Sequence, residues 1–151
     1  MKGKKEREIE EALREKLESR GAHMTRQRAA VYGYLRGVGH HPTAEEVYLA
    51  VKRELPRISL ATVYKNLEAL VNCGAASKLT TGDGAARYDI RTDHHYHSRC
   101  LGCGRMTDLE PEAEGAMPGL VSVPRGFRVR NYRIEVLGYC RQCQSPEKQS
   151  S

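Results

Sequence analysis

The stretch Ser59-Leu-Ala-Thr-Val-Tyr-Lys-Asn-Leu-Glu-Ala-Leu-Val-Asn-Cys-Gly74, continuing through Ala76 to Ile90, decides the fold. Ser59 is a helix-capping residue, Leu60 to Asn72 carries apolar residues at helical spacing, and Gly74 supplies a stop. Two strand-like runs follow, Ala76 to Thr80 and Ala85 to Ile90, joined by Thr81-Gly82-Asp83-Gly84, whose glycines suit a hairpin turn.

Upstream, three more helices are predicted. Lys2 to Arg20 places Ile9, Leu13 and Leu17 on one stripe among alternating charges. Thr25 caps a helix through Arg36, with a stripe of Ala29, Tyr32 and Leu35 and with Gly37 and Gly39 ending it. Thr43 and Glu46 form a capping box for a helix whose apolar surface is Val47, Leu49, Ala50 and Val51, stopped by Pro56. Helices followed by a two-stranded hairpin make a winged helix, in which the last helix, from Ser59, enters the DNA major groove.

Charge agrees with that reading without proving it. The 151 residues carry net +6, and 16 basic against 12 acidic residues fall before Ile90. No apolar run approaches the roughly 18 residues of a membrane span, and the charged first twenty residues do not form a signal peptide. The expected compartment is the cytoplasm, where paired cysteines are reduced and read as metal ligands.

After about Thr92 the texture becomes short strands: His94 to Arg99, Arg105 to Leu109, Phe127 to Val129 and Tyr132 to Tyr139. Glu110 to Pro124 is interrupted by Pro111, Gly115, Pro118 and Gly119, so any helix there is short. The expected class is α+β: a winged-helix DNA-binding domain over residues 1–90, a small α/β domain over 91–144, and a flexible tail over 145–151. A core that small calls for a staple.

Cys100-Leu-Gly-Cys103 and Cys140-Arg-Gln-Cys143 supply it. Two C-x-x-C knuckles offer four thiolates, a closed tetrahedral shell for structural Zn²⁺. Redox use would call for a βαβ context that neither knuckle has. Cys73 is unpaired and reads as a small buried filler. His95 and His97 leave one face of a strand as a candidate ligand pair, while His23 and His40 read as ordinary surface or packing residues.

The stretches His41-Pro-Thr-Ala-Glu-Glu-Val-Tyr48, Ile58 to Leu67, Arg87-Tyr-Asp89, His94 to Gly104 and Glu135 to Cys143 together resemble the ferric uptake regulator family, in order and spacing over about residues 10 to 143. The resemblance implies a homodimeric metalloregulator acting on palindromic operator DNA, with residues 91–144 as its dimerisation and metal-binding domain. In it, Ser59, Ala61, Thr62, Tyr64, Lys65 and Asn66 belong to the DNA-reading helix, and Arg26, Arg28 and Arg87 contact phosphates. It also implies a regulatory metal at His41, Asp89, His95, His97 and Asp108. Aspartates at 89 and 108, and Tyr96 between the last two histidines, resemble the peroxide-sensing branch rather than iron sensors, which carry glutamates there and a further histidine absent from Arg130 to Ile134. Three imidazoles and two carboxylates suit Fe²⁺ or Mn²⁺. The broken Glu110 to Pro124 segment departs from the family's long dimerisation helix. The other readings are an iron, manganese or zinc uptake regulator of the same fold, a zinc hydrolase or deaminase, and a zinc-ribbon interaction module. The hydrolase lacks any H-E-x-x-H or H-x-E with P-C-x-x-C motif, and no enzyme is expected.

Overall fold

The computed structural model describes residues 2–80, 84–93, 95–110, 121–129 and 134–144. The chain divides into two compact units, Met1–Asp93 and His94–Ser151.

The first unit holds four helices. α1 (Lys2–Glu18) buries Leu13 and Leu17, one turn apart, while Ile9 is only half-buried. α2 (Arg26–Gly37) starts at Thr25, whose hydroxyl accepts the Arg28 amide at 3.1 Å. Its core face is Val31 and Leu35. The expected stripe of Ala29 and Tyr32 lies to one side, lining a groove against α1 with Ile9 and Leu13. α3 (Ala44–Val51) has the full capping box: Glu46 N donates to Thr43 Oγ1 at 3.3 Å and Thr43 N to Glu46 Oε2 at 2.8 Å. It buries Ala44, Val47 and Val51; Leu49, two residues and about 200° round from Val47, is 65% exposed, against expectation.

α4 (Leu60–Asn72) is capped by Ser59, whose Oγ accepts the Thr62 amide at 3.1 Å. Val63, Leu67 and Leu70 recur at helical spacing and are fully buried. Gly74 follows at φ +75°, the left-handed geometry that ends a helix and that glycine adopts without strain. β1 (Ser77–Thr80) and β2 (Ala86–Asp89) pair antiparallel with Lys78 opposite Tyr88. Of the expected turn, Thr81, Gly82 and Asp83 lie outside the described residues. Four helices and a hairpin share one core, running from Leu13 on α1 to Tyr88 on β2. This is the winged helix.

The segment before α3 is stitched onto β2. Tyr88 N donates to Pro42 O at 3.0 Å, and Thr43 forms an antiparallel bridge with Arg87. β2 therefore has a backbone partner along both edges, and Arg87, Tyr88 and Asp89 are all buried.

In the second unit, β3 (Tyr96–Cys100) is central, with β4 (Met106–Leu109) antiparallel on one side and β5 (Glu135–Gly138) parallel on the other. Parallel pairing requires a long crossover, and the chain from Glu110 to Ile134 supplies it. Phe127 to Val129 is not a strand: Phe127 is 62% and Val129 49% exposed, and among the described residues no strand pairs with them. The expected broken segment Glu110 to Pro124 falls mostly outside the described residues, as do His94, Arg130 to Arg133 and the tail from Ser145. Among the described residues of this unit, the buried hydrophobics are Cys100 and Met106 alone.

Candidate metal centres

The sequence places each C-x-x-C knuckle at the end of a strand, Cys100–Cys103 after β3 and Cys140–Cys143 after β5. Because β3 and β5 run parallel, with Cys100 opposite Gly138, both knuckles come to the same end of the sheet. The four sulfurs lie within 4.8 Å of one another. Cys103 Sγ and Cys140 Sγ are 3.9 Å apart, against about 3.8 Å for tetrahedral zinc with Zn–S bonds near 2.3 Å. Gly102 is required here: a Cβ would lie 2.8 Å from Cys143 Cβ and 2.9 Å from its Sγ.

The thiols are electrostatically uneven. The Cys140 backbone N–H, 3.2 Å from Cys100 Sγ, and further amide donors of its own knuckle hold the Cys100 thiol down to about 6. The side chains of Cys140 and Cys100 push Cys143 up to about 12. Four sulfurs converging at these distances, with an amide donor on Cys100, fit a divalent cation.

The His/Asp donors form a set in each unit. In the first, His41 Nε2 lies 3.5 Å from Asp89 Oδ2, both side chains buried. The His41 loop is held against β2 by the Pro42 bond described above and by Arg87, whose guanidinium donates to the His41 carbonyl at 2.9 Å. Asp89 Oδ1 accepts the Arg91 amide at 2.8 Å, leaving its other oxygen toward His41. In the second, His97 pairs in register with Asp108 across β3 and β4, and His95, two residues earlier, joins the same face. Asp108 Oδ1 is 2.9 Å from His95 Nε2 and 3.7 Å from His97 Nε2, and the two rings meet edge-on at 4.5 Å. Donors bound to adjacent corners of one ion stand about 3 Å apart when the bonds are near 2.1 Å, so both sets suit a hard or borderline metal.

Two of the expected DNA contacts are turned inward. Asn66 is 4% exposed and its amide donates to Thr62 O at 3.0 Å, inside α4. It lies on the stripe shared by Val63 and Leu70, one turn round from the exposed positions. Arg87 is 7% exposed and its guanidinium is turned inward to the His41 carbonyl and, at 3.5 Å, to Glu46, so it braces the His41 loop. The other expected contacts stand where DNA could reach them. Ala61 and Lys65 are exposed, Tyr64 is 40% exposed, and Arg26 is exposed beside Arg57 in an open groove. Ser59 and Thr62 share a 2.9 Å hydroxyl contact at the helix start. Arg28 is partly buried and donates to the His23 carbonyl.

Sequence reasoning found Glu46 only as a cap and missed its long-range partner, and it missed Glu45 altogether. Glu46 caps α3 and receives Arg87, with His40 3.9 Å away. Glu45 Oε1 accepts the Tyr64 hydroxyl at 3.0 Å. Neither partner lies within helical reach in sequence, so no local signal marked them.

A winged helix joined to a small sheet that gathers four thiolates, with histidine and aspartate donors on both units, defines a metal-binding protein of the DNA-binding class. A sequence profile of the ferric uptake regulator family matches residues 19–137. The chain belongs to that family. It is 37% identical over 140 residues to the peroxide operon regulator of Bacillus subtilis, covering 93% of this chain and 96% of that one. It is equally identical over 139 residues to the peroxide-responsive repressor PerR of Staphylococcus aureus, covering 92% and 93%. The Helicobacter pylori ferric uptake regulator superposes with a TM-score of 0.77 at 27% identity, over 93% of this chain and 95% of that one. The Campylobacter jejuni peroxide stress regulator superposes at 0.59 with 30% identity, over 78% and 88%.

Proposed function

We propose that this chain is a homodimeric, metal-dependent transcriptional repressor that senses peroxide. Residues 1–90 bind palindromic operator DNA, residues 91–144 dimerise, and the protein works in the cytoplasm; among its described residues no helix is long and apolar enough to cross a membrane. Ala61, Thr62, Tyr64 and Lys65 meet the DNA from α4, and Arg26 and Arg28 serve the phosphates. Cys100, Cys103, Cys140 and Cys143 hold a structural Zn²⁺, which supplies folding energy rather than chemistry.

His41, Asp89, His95, His97 and Asp108 take one regulatory Fe²⁺ or Mn²⁺ as a five-donor nitrogen and oxygen set. The observation that carries this reading is the buried His41–Asp89 pair at 3.5 Å, a two-donor set too small to hold an ion alone and built into the base of the wing. Gathering it with the three donors of the second unit fixes the posture in which two α4 helices can reach successive half-sites. Fe²⁺ held there would supply the electrons that reduce hydrogen peroxide, and His41 or His95 would be the ring oxidised beside it. A modified ring would no longer donate to the metal, and metal-dependent DNA binding would be lost.

Fluorescence-anisotropy titration of a duplex selected by the protein from a random pool tests the reading, with Fe²⁺ or Mn²⁺, each with and without peroxide. Loss of binding only with Fe²⁺ plus peroxide is expected. Indifference to peroxide would make the chain an uptake regulator of iron, manganese or zinc. His41→Ala should abolish metal-dependent binding while the zinc and the helices persist.

A further inference from the structure

A carboxylate is the wrong charge to place beside a helix that must approach a phosphate backbone. Glu45 is nonetheless exposed in the first turn of α3, and its Oε1 reaches across to accept the hydroxyl of Tyr64 on α4. Tyr64 is itself 40% exposed. The neighbouring Glu46 already closes the capping box of α3, so that helix end is fixed without Glu45.

The bond matters for what Tyr64 can read. A free tyrosine hydroxyl at a DNA surface donates to phosphate oxygens or to any base acceptor, contacts that carry little sequence information. Here the single hydroxyl proton is committed to a carboxylate, and the hydroxyl turns only lone pairs toward DNA. The same bond raises the Tyr64 pKa, so the proton stays in place. What the side chain has left to offer is an oxygen that can only accept and the apolar ring, whose natural partner in the major groove is the thymine methyl.

We propose that Glu45 is a positioning and specificity residue of the DNA-reading face, holding Tyr64 as an apolar reader of a thymine methyl and denying its hydroxyl to the backbone. This rests on the DNA-binding role proposed above.

The experiment uses the full-length Mn²⁺-loaded protein and the duplex it selects from a randomised pool. Each thymine is replaced singly by deoxyuridine, which deletes only the methyl. Wild type should lose about four-fold in affinity at one position in each half-site, the worth of one buried methyl. Glu45→Ala should bring that ratio to about one while tightening binding to an unselected duplex. Glu45→Gln, which keeps an acceptor oxygen, should retain the ratio. Tyr64→Phe should lower it, and adding Glu45→Ala to Tyr64→Phe should change it no further. If Glu45 merely supports the helix dipole, Glu45→Ala lowers Tm and leaves the ratio intact, which overturns the proposal, as does Tyr64→Phe retaining the full ratio. Failure of wild type to select any duplex instead sinks the DNA-binding reading itself.

Discussion

Replacing Cys103 by Ser should unfold one unit and spare the other. In the first unit fifteen buried hydrophobic residues form a continuous core. In the second, Cys100 and Met106 are the buried hydrophobics among the described residues, worth together about 2–5 kcal/mol of burial. A structural zinc contributes on the order of 10 kcal/mol or more to folding a small domain. The metal term is therefore the larger, and the sheet stands or falls with it. Losing even an outer-shell partner weakens metal sites about 10- to 100-fold, and a lost sulfur should cost at least the upper figure. Among the described residues every helix belongs to the first unit, so circular dichroism at 222 nm follows mainly that unit, while hydrogen exchange at Arg99, Leu137 and their neighbours reports on the sheet. Cys103→Ser should leave the helical signal and its melting intact, abolish protection of β3 to β5, and reduce bound zinc to less than one per chain. Persistent strand protection without metal, or simultaneous loss of the helices, would refute the reasoning.

Gly102→Ala should weaken zinc retention against a chelator without changing the helical melt, because the added methyl collides with Cys143. Zinc affinity should fall at least about ten-fold for each unit of pH lowered from 8 to 6: Cys143, pushed up to about 12, must surrender a proton to bind, so acid favours the empty site. Leu67→Ala should destabilise the first unit by about 2–5 kcal/mol in urea denaturation, since the side chain is fully buried on α4. Lys65→Ala, at an exposed position, should reduce the slope of log affinity against log salt by about one if the residue meets a phosphate.

The parts of this chain governed by near neighbours were legible in its sequence. Thr25, Thr43 with Glu46, and Ser59 each cap the helix they precede, because a capping bond spans three residues. The two cysteine knuckles announced themselves by spacing, and the strands bring them together. The burial of Arg87 and Asn66 was not legible, for different reasons: Asn66 bonds Thr62 O one turn back on the face that packs Val63 and Leu70, whereas Arg87 turns to a partner far away in sequence. For Arg87 that partner is the His41 loop, 46 residues upstream. Phe127 to Val129 failed differently; its apolar and basic alternation matches a strand, and among the described residues no strand pairs with it.

β3 is only five residues long, yet His97 sits near one end and Cys100 closes the other. Three residues of extended chain cover about 10 Å, so a single short span carries a donor for each proposed metal and shares its hydrogen bonds with both. The thiolate-bound ion is thus a licence for the sensor: a cell too poor in zinc to fill it would hold protein that is present, deaf to peroxide, and unable to keep its genes shut.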